Sequence, residues 1–186
     1  MNFKHFFGAA LTVMCALVMS TTLTACGSDD DNDSKGGGDD FKPVAASLNA
    51  TLSVGDDLIK YFDLTVDYYD ANGKLQSEPM KEAKWEKTIK AGLPATLGVR
   101  LKATQLKDGV DPATIDLLSV KSSLAYGYQT LDAKDGIIDV FASSHAGSYS
   151  IHGSDIPEWL SDEGGNIEKI LYNFDANGKY SEGSWK

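Results

Sequence analysis

Apolar and polar side chains alternate with a period of two along most of the chain beyond residue 41. Such alternation buries one face of an extended segment and leaves the other in water, so it predicts β-strands. The pattern is most regular in four segments, 47–54, 62–69, 97–104 and 118–128. Shorter stretches predict further strands at 84–90, 137–142, 148–152, 167–174 and 179–185. The sequence therefore predicts about nine strands.

One short helix is predicted over residues 156–162. Asp155 precedes this segment as an N-terminal cap, Pro157 lies in its first turn, and Glu158 completes the capping pattern. A glycine pair beginning at Gly164 ends the segment. The helix is expected to close one end of the domain.

The five letters Asp-Ala-Asn-Gly-Lys occur twice, at 70–74 and 175–179. Asp accepts local hydrogen bonds at the first position, and Gly adopts the left-handed conformation that rejoins two strands, so each motif predicts a hairpin. A calcium loop is the alternative reading, but Lys74 and Lys179 stand where a ligand oxygen is required.

Strands joined by such turns predict a single all-β domain over residues 41–186. The expected fold is an antiparallel β-sandwich (Ig-like or similar) of about nine strands with one short helix. A lipocalin-like β-barrel is the alternative, and it would carry a ligand site in its interior. A segment of about 146 residues is long enough to bury a core without disulfide bonds.

The first 25 residues have the composition of a signal peptide. Lys4 is followed by an almost uncharged apolar run over 6–19, which is shorter than the roughly 20 residues that a membrane-spanning helix needs. The run leads into Leu-Thr-Ala-Cys at 23–26, followed by Gly27. This stretch resembles the lipobox of bacterial lipoproteins. The resemblance implies that residues 1–25 are removed and that Cys26 becomes a lipidated amino terminus.

Residues 26–40 follow with six aspartates and no apolar side chain except that of Cys26, which predicts a disordered tether. The acidic cluster after Cys26 is similar to the export signal of Bacteroidota surface lipoproteins. That similarity implies a lipid-anchored protein of the outer membrane that faces the cell exterior. A solvating spacer, and a protein that faces the periplasm, are the alternatives.

Charge and cysteine content narrow the classes of partner. The chain carries a net charge of −10, of which about −6 belongs to residues 41–186. An acidic domain repels nucleic acid and anionic lipid head groups, so the expected contact with the membrane is the lipid on Cys26. The two cysteines, Cys15 and Cys26, both precede the domain, which leaves it without a disulfide or a thiolate metal site.

Chemistry-bearing residues are sparse. His145 and His152 lie near two acidic residues and are weak candidates for zinc ligands, but the acids fit helix caps and the histidines lie seven residues apart. No serine-nucleophile elbow, phosphate-binding loop or His-Glu-x-x-His helix occurs. We therefore expect no metal, no cofactor and no catalytic activity, with a carboxylate-dependent hydrolase as the least favoured alternative.

Aromatic residues are the remaining indication of function. Flat rings stack on the apolar faces of sugars, and Trp85, Tyr69 and Trp159 are the candidate ligand-binding residues. Tyr69 shares a polar strand face with Asp63, Thr65 and Asp67, so it is expected to be exposed there. The sequence favours a binding module for glycan or another small ligand. A structural or adhesive component that contacts a surface protein is the alternative.

Overall fold

The computed structural model describes residues 42–162 and 165–185. The predicted signal peptide (1–25), the lipidation of Cys26 and the tether (26–40) lie outside the described residues. Within them, no helix combines the length and the apolar character that a membrane crossing requires.

In the described residues, nine antiparallel strands form two sheets. The strands are β1 (Ala45–Val54), β2 (Phe62–Tyr69), β3 (Leu75–Met80), β4 (Lys84–Gly92), β5 (Ala95–Leu106), β6 (Leu117–Leu131), β7 (Ile137–His152), β8 (Asn166–Phe174) and β9 (Tyr180–Glu182). Sheet A has the order β4-β1-β6-β7, and sheet B has the order β3-β2-β5-β8-β9. The predicted sandwich is confirmed. The alternative of a closed barrel is wrong, because both sheets end in edge strands.

The predicted short helix is confirmed as α2 (Ile156–Asp162). A second short helix, α1 (Asp56–Tyr61), connects β1 to β2 and was not predicted. Its six residues are too few to show helical periodicity, and no side chain caps its first residue. Single 3-10 turns occupy Pro112–Thr114 and Gly153–Asp155.

Two strand predictions differ from the structure. Segments 137–142 and 148–152 belong to one strand, β7, which pairs with β6 without a break at Gly147. The strand β3 was not predicted, because both of its faces are largely exposed and the sequence shows no clear alternation. Pro79 is tolerated in β3 because this strand lies at the edge of sheet B.

The core lies between the two sheets. Inward residues of β1 and β6, such as Leu48 and Leu124, are fully buried, as are Leu97 and Leu101 of β5 and Phe62 of β2. Antiparallel partners share a face, so the register determines which residues point inward. The alternation in the sequence therefore predicted the core correctly in β1, β2, β5 and β6.

The two repeated turns have the predicted geometry. The Oδ1 atom of Asp70 accepts hydrogen bonds from the backbone N–H groups of Asn72 and Lys74 at 2.8 and 3.0 Å, and Gly73 has φ of 71°. The turn at 175–179 repeats these contacts. A third turn, Asp132 to Gly136, has the same hydrogen bonds but places Asp135 in the left-handed position.

Replacing Asp135 by glycine is expected to stabilise the domain by about 0.5–1 kcal/mol, because its φ of 65° is costly for a residue with a Cβ atom. The exposed ion pair between Asp135 and Lys90 is lost, but such pairs contribute little. Urea unfolding measures the change. Asp135→Ala is the control, since it removes the same ion pair and keeps the Cβ; it should be no more stable than the parent chain.

Candidate functional site

The three aromatic residues predicted to bind ligand lie in three different places. Tyr69 stacks on Trp185, with ring centroids 5.3 Å apart. Trp85 contacts Tyr68, and Trp159 contacts another ring at a different end of the sandwich. Among the described residues, no ring contact joins any two of the three candidates. They therefore do not form one shared aromatic platform.

Trp85 closes one side of the sandwich. Its indole N–H donates to the carboxylate of Glu78, which also accepts from Lys87 Nζ at 2.8 Å. Lys87 Nζ in turn lies 3.8 Å from the centroid of the Tyr68 ring. These contacts link β4 to β2 and β3, so the position of Trp85 is explained by packing between the sheets.

Trp159 holds α2 against the end of the core. Its ring meets that of Phe62 edge-on, with centroids 5.5 Å apart, and its N–H donates to the hydroxyl of Tyr149 at 3.1 Å. The side chain is half-buried. Its contacts are those of a packing residue.

Replacing Trp159 by alanine is expected to lower the free energy of unfolding by about 2 kcal/mol, less than for a fully buried tryptophan. Thermal and urea unfolding measure the loss. Trp159→Phe keeps an aromatic ring against Phe62 and should cost less than half as much. Equal losses in the two variants would contradict a packing role for the ring.

Tyr69 lies on the outer face of sheet B, as the alternation predicted. Trp185 reaches this face because residues 183–185 continue along β8 beyond the end of β9. The Gly183 N–H donates to the Leu171 carbonyl at 2.8 Å, and the indole N–H donates to the carbonyl oxygen of Ile170 at 3.1 Å. The guanidinium of Arg100 lies 4.7 Å from the centroid of the Trp185 ring. Trp185 thus supports the ring of Tyr69 and is itself held by contacts to β5 and β8.

A buried ion cluster holds Arg100 in place. Asp67 is only 2% exposed, and its Oδ2 lies 2.8 Å from Arg100 Nη2 and 2.7 Å from Lys102 Nζ. The hydroxyl of Ser77 donates to Oδ1 at 2.6 Å. Burial raises the pKa of Asp67, but the hydrogen bonds from Lys102, Ser77 and Arg100 together outweigh it and leave this pKa below its usual value.

Beside Tyr69 lies an open cavity of about 920 Å³, which we call the outer groove. It sits at the end of the sandwich where the chain enters, since Leu93 in its wall donates its N–H to the Val44 carbonyl at 2.9 Å. The described lining residues are Tyr69, Ala71, Asn72, Gly73, Ala91, Gly92, Leu93, Pro94, Ala95, Thr96, Leu171, Asn173, Phe174 and Ser184. None of these carries a charge, and the polar side chains are amides and hydroxyls.

No family model, curated protein or solved structure matches this chain. The function must therefore be argued from the chemistry of the sites themselves.

A second, smaller cavity of about 360 Å³ opens on the side between β7 and β9; we call it the side cleft. Tyr126, Tyr172 and Trp185 line it, together with the charged residues Lys169 and Glu182. Burial is the main cause that raises the pKa of Tyr172 to about 12, and a hydrogen bond with Tyr126 is the second cause. The phenol is therefore neutral at physiological pH.

Next to the side cleft, the buried carboxylate of Glu168 joins two other side chains. The hydroxyl of Ser122 donates to Glu168 Oε1 at 2.6 Å, and Nε2 of His145 contacts Oε2. A serine nucleophile needs histidine directly beside it, whereas here the carboxylate stands between the two. The cluster therefore lacks the geometry of a catalytic triad.

The two weak zinc candidates, His145 and His152, belong to opposite faces of β7. His145 pairs with inward-facing Leu124 and turns toward Glu168, whereas Nδ1 of His152 lies 3.2 Å from the carbonyl oxygen of Asp116. Their separation along the strand is about 23 Å at 3.3 Å per residue, so one ion could not contact both. No group of three potential ligands placed to hold a metal occurs in the described part of the chain.

The sequence missed several residues of the outer groove. Asn72 belongs to a repeated turn motif that we interpreted only as a hairpin. Asn173 is an outward residue of the strand predicted at 167–174, whereas Thr96 lies one residue before the strand predicted at 97–104. Their amide and hydroxyl groups are hydrogen-bonded to each other at 2.9 Å. The polar residues that flank Tyr69 on neighbouring strands indicate this groove. They can be recognised as neighbours of Tyr69 only when the strand order is known.

Proposed function

We propose that this chain is a lipid-anchored surface protein whose β-sandwich binds a neutral glycan without catalysing a reaction, with the outer groove as the binding site. The uncharged lining of that groove beside a supported aromatic ring is the observation that carries the proposal. A structural or adhesive role is the alternative, and it would use a different surface.

The aromatic part of the argument rests on Tyr69. Sugar rings present apolar C–H faces, and a flat aromatic side chain offers a matching apolar surface. Tyr69 lines the groove and is braced from behind by Trp185. A ring held in this way loses little conformational freedom when a ligand binds, which favours affinity.

The polar part of the argument concerns the class of ligand. Asn72, Thr96, Asn173 and Ser184 offer donors and acceptors that suit hydroxyl groups. A charged side chain of opposite sign would favour a phosphate, carboxylate or ammonium ligand, and none of the described lining residues supplies one. No carboxyl side chain lines the groove among these residues either, so an acid–base pair for hydrolysis has no support there.

The expected tether bears on whether this groove can be reached by a ligand. The chain enters the domain beside the groove, so a lipid on Cys26 would place this end nearest to the membrane. A tether of the kind predicted from the sequence for the fourteen residues 27–40 would extend at most about 45–50 Å and would span about 20 Å on average. Such spacing leaves room for an oligosaccharide between the groove and the membrane.

A glycan-array screen followed by calorimetric titration tests the proposed function on the chain from residue 27 onward. We expect binding of at least one neutral oligosaccharide, with an affinity that changes little with salt, because no ion pair contributes. Trp85→Ala is the control, because Trp85 does not line the groove. This variant should bind the oligosaccharide with the affinity of the parent chain. Binding only of charged glycans, or of none, would contradict the proposal.

Replacing Cys26 by alanine is expected to abolish lipid attachment and to release the protein from the membrane fraction. The reason is that a diacylglycerol supplies two acyl chains, and each buried methylene contributes about 0.8 kcal/mol to anchoring. Metabolic labelling with an alkyne fatty acid, followed by fractionation, measures both effects. Cys15→Ala is the control, because that residue lies in the segment expected to be removed. Labelling that survives in Cys26→Ala would contradict the lipid anchor.

A further inference from the structure

The two sheets have four edge strands, and three of them carry features that discourage pairing with another chain. β3 contains a proline, β9 has only three residues, and β4 carries charged residues over much of its length. β7 has none of these protections. Its sixteen residues contain no proline, lysine or arginine, and Asp139 is their only acid.

The free side of β7, which is the backbone edge turned away from β6, is accessible along its length. The exposed apolar side chains of β7 are Ile137, Ile138, Val140, Phe141 and Tyr149. In the described part of the chain, no strand other than β6 pairs with it. The backbone N–H of Val140 donates to Asp139 Oδ1 at 2.8 Å, which places this group on the free side. Alternation along the strand then directs the N–H groups of Ala142, Ser144 and Ala146 to the same side.

We propose that β7 is a self-association edge, where a second copy of this chain adds its own β7 in antiparallel orientation about a two-fold axis at His145. The two four-stranded A sheets would then form one continuous sheet of eight strands. The proposal concerns a protein partner and does not depend on glycan binding in the outer groove.

The side chains of β7 favour this register. In a continuous sheet, directly opposed residues share a face, so inward residues must pair with inward residues. An axis at His145 places Phe141 opposite Tyr149 of the second copy, and the symmetry repeats this pair. Aromatic cross-strand pairs stabilise sheets, and these two rings are 36% and 46% exposed in the single chain. The strand is therefore complementary to itself.

Charge also selects this edge for self-association. Two acidic domains of about −6 each repel one another over most of their surfaces. In the proposed register, Asp139 lies opposite Ile151, and no two carboxylates of β7 face each other. The edge strand is a surface on which two copies can approach without opposing fixed charges.

The backbone geometry identifies the residue pairs for a cross-linking test. Because the N–H groups of the even-numbered residues face the free side, odd-numbered pairs such as Ser143 with Gly147 of the second copy are non-hydrogen-bonded. Such pairs have Cα atoms about 4.5 Å apart, a distance that a disulfide spans. A Cβ atom at Gly147 has open space around it, and the domain has no cysteine of its own.

The experiment mixes the Ser143→Cys and Gly147→Cys variants of the chain from residue 27 onward under mild oxidation. We expect at least fivefold more cross-linked dimer from the mixture than from either variant alone, because neither residue lies opposite itself in the proposed register. Ala142→Cys mixed with Gly147→Cys is the control pair, since these side chains point to opposite faces.

Sedimentation of the cysteine-free chain gives an independent measure. Edge pairing buries less area than a standard interface, so we expect reversible dimers that form only at high concentration. Ser144→Pro removes an N–H on the free side and should be monomeric with an unchanged melting temperature. Two results would overturn the proposal: cross-links that show no preference for the 143–147 mixture, or a chain that is monomeric at all concentrations. The alternative would then be that β7 pairs with a strand of another protein.

Discussion

Replacing Tyr69 by alanine is expected to weaken binding of the neutral glycan by at least about tenfold, which corresponds to 1.4 kcal/mol. The substitution removes the aromatic wall of the outer groove but leaves its amide and hydroxyl groups in place. The side chain is half-buried on the outer face of sheet B, outside the core, so the domain should still fold. Calorimetric titration with the best oligosaccharide from the array measures the loss.

Tyr69→Phe is the matched control because it keeps the ring and removes only the hydroxyl. It should retain binding to within a few fold, since stacking on the sugar uses the face of the ring. Tyr126→Ala tests the side cleft in the same way and should leave binding unchanged. Equal weakening by Tyr69→Phe and Tyr69→Ala, or a loss only in Tyr126→Ala, would contradict the stacking role of Tyr69.

Replacing Asp67 by alanine is expected to cost roughly 3 kcal/mol of folding stability, because it removes one partner of a buried, hydrogen-bonded ion cluster. Arg100 and Lys102 lose their shared carboxylate, and two like charges remain side by side on β5. Chemical denaturation at neutral pH measures the loss. Asp63→Ala, on the exposed end of the same strand face, is the control and should cost under about 1 kcal/mol.

The contribution of Asp67 also depends on pH. Its pKa in the folded state lies below its unfolded value, so its contribution is complete above the ordinary aspartate pKa of about 3.9 and is lost as the pH falls through the folded pKa. The difference in stability between the parent chain and Asp67→Ala should therefore shrink under acidic conditions. A difference that grows as the pH falls would contradict the ion cluster as its cause.

The sequence predicted the fold well where one face of a strand is buried and the other is exposed to solvent. β1 and β6 show this alternation because they lie inside sheet A, with sheet B covering one face. The sequence predicted β7 as two separate strands because residues 143–147 are exposed on both faces and carry no alternation. The exposed residues of such an edge strand are not constrained by burial, and no pattern appears in them.

The outer groove was only partly predictable, and its residues show why. The position of Tyr69 on the outer face of its strand follows from local alternation, which the sequence contains. The stacking of Trp185 on Tyr69 joins residues far apart in sequence, and it depends on residues 183–185 continuing along β8 after β9 ends. Asp67 lies on the same polar face and is nevertheless buried, because Arg100, Lys102 and Ser77 close over it.

The most direct test of glycan binding in the outer groove is a two-dimensional amide NMR titration of the chain from residue 27 onward with the best oligosaccharide. The chain has three tryptophans, whose indole N–H signals report on three separate places. We predict shifts in the side-chain amides of Asn72 and Asn173, which line the outer groove and not the side cleft, with Trp85 and Trp159 unmoved. The indole of Trp185 should shift with them because it stacks on Tyr69, although Trp185 also lines the side cleft. Shifts confined to Trp85, Trp159 or the side cleft, with both asparagines unmoved, would contradict the outer groove as the binding site.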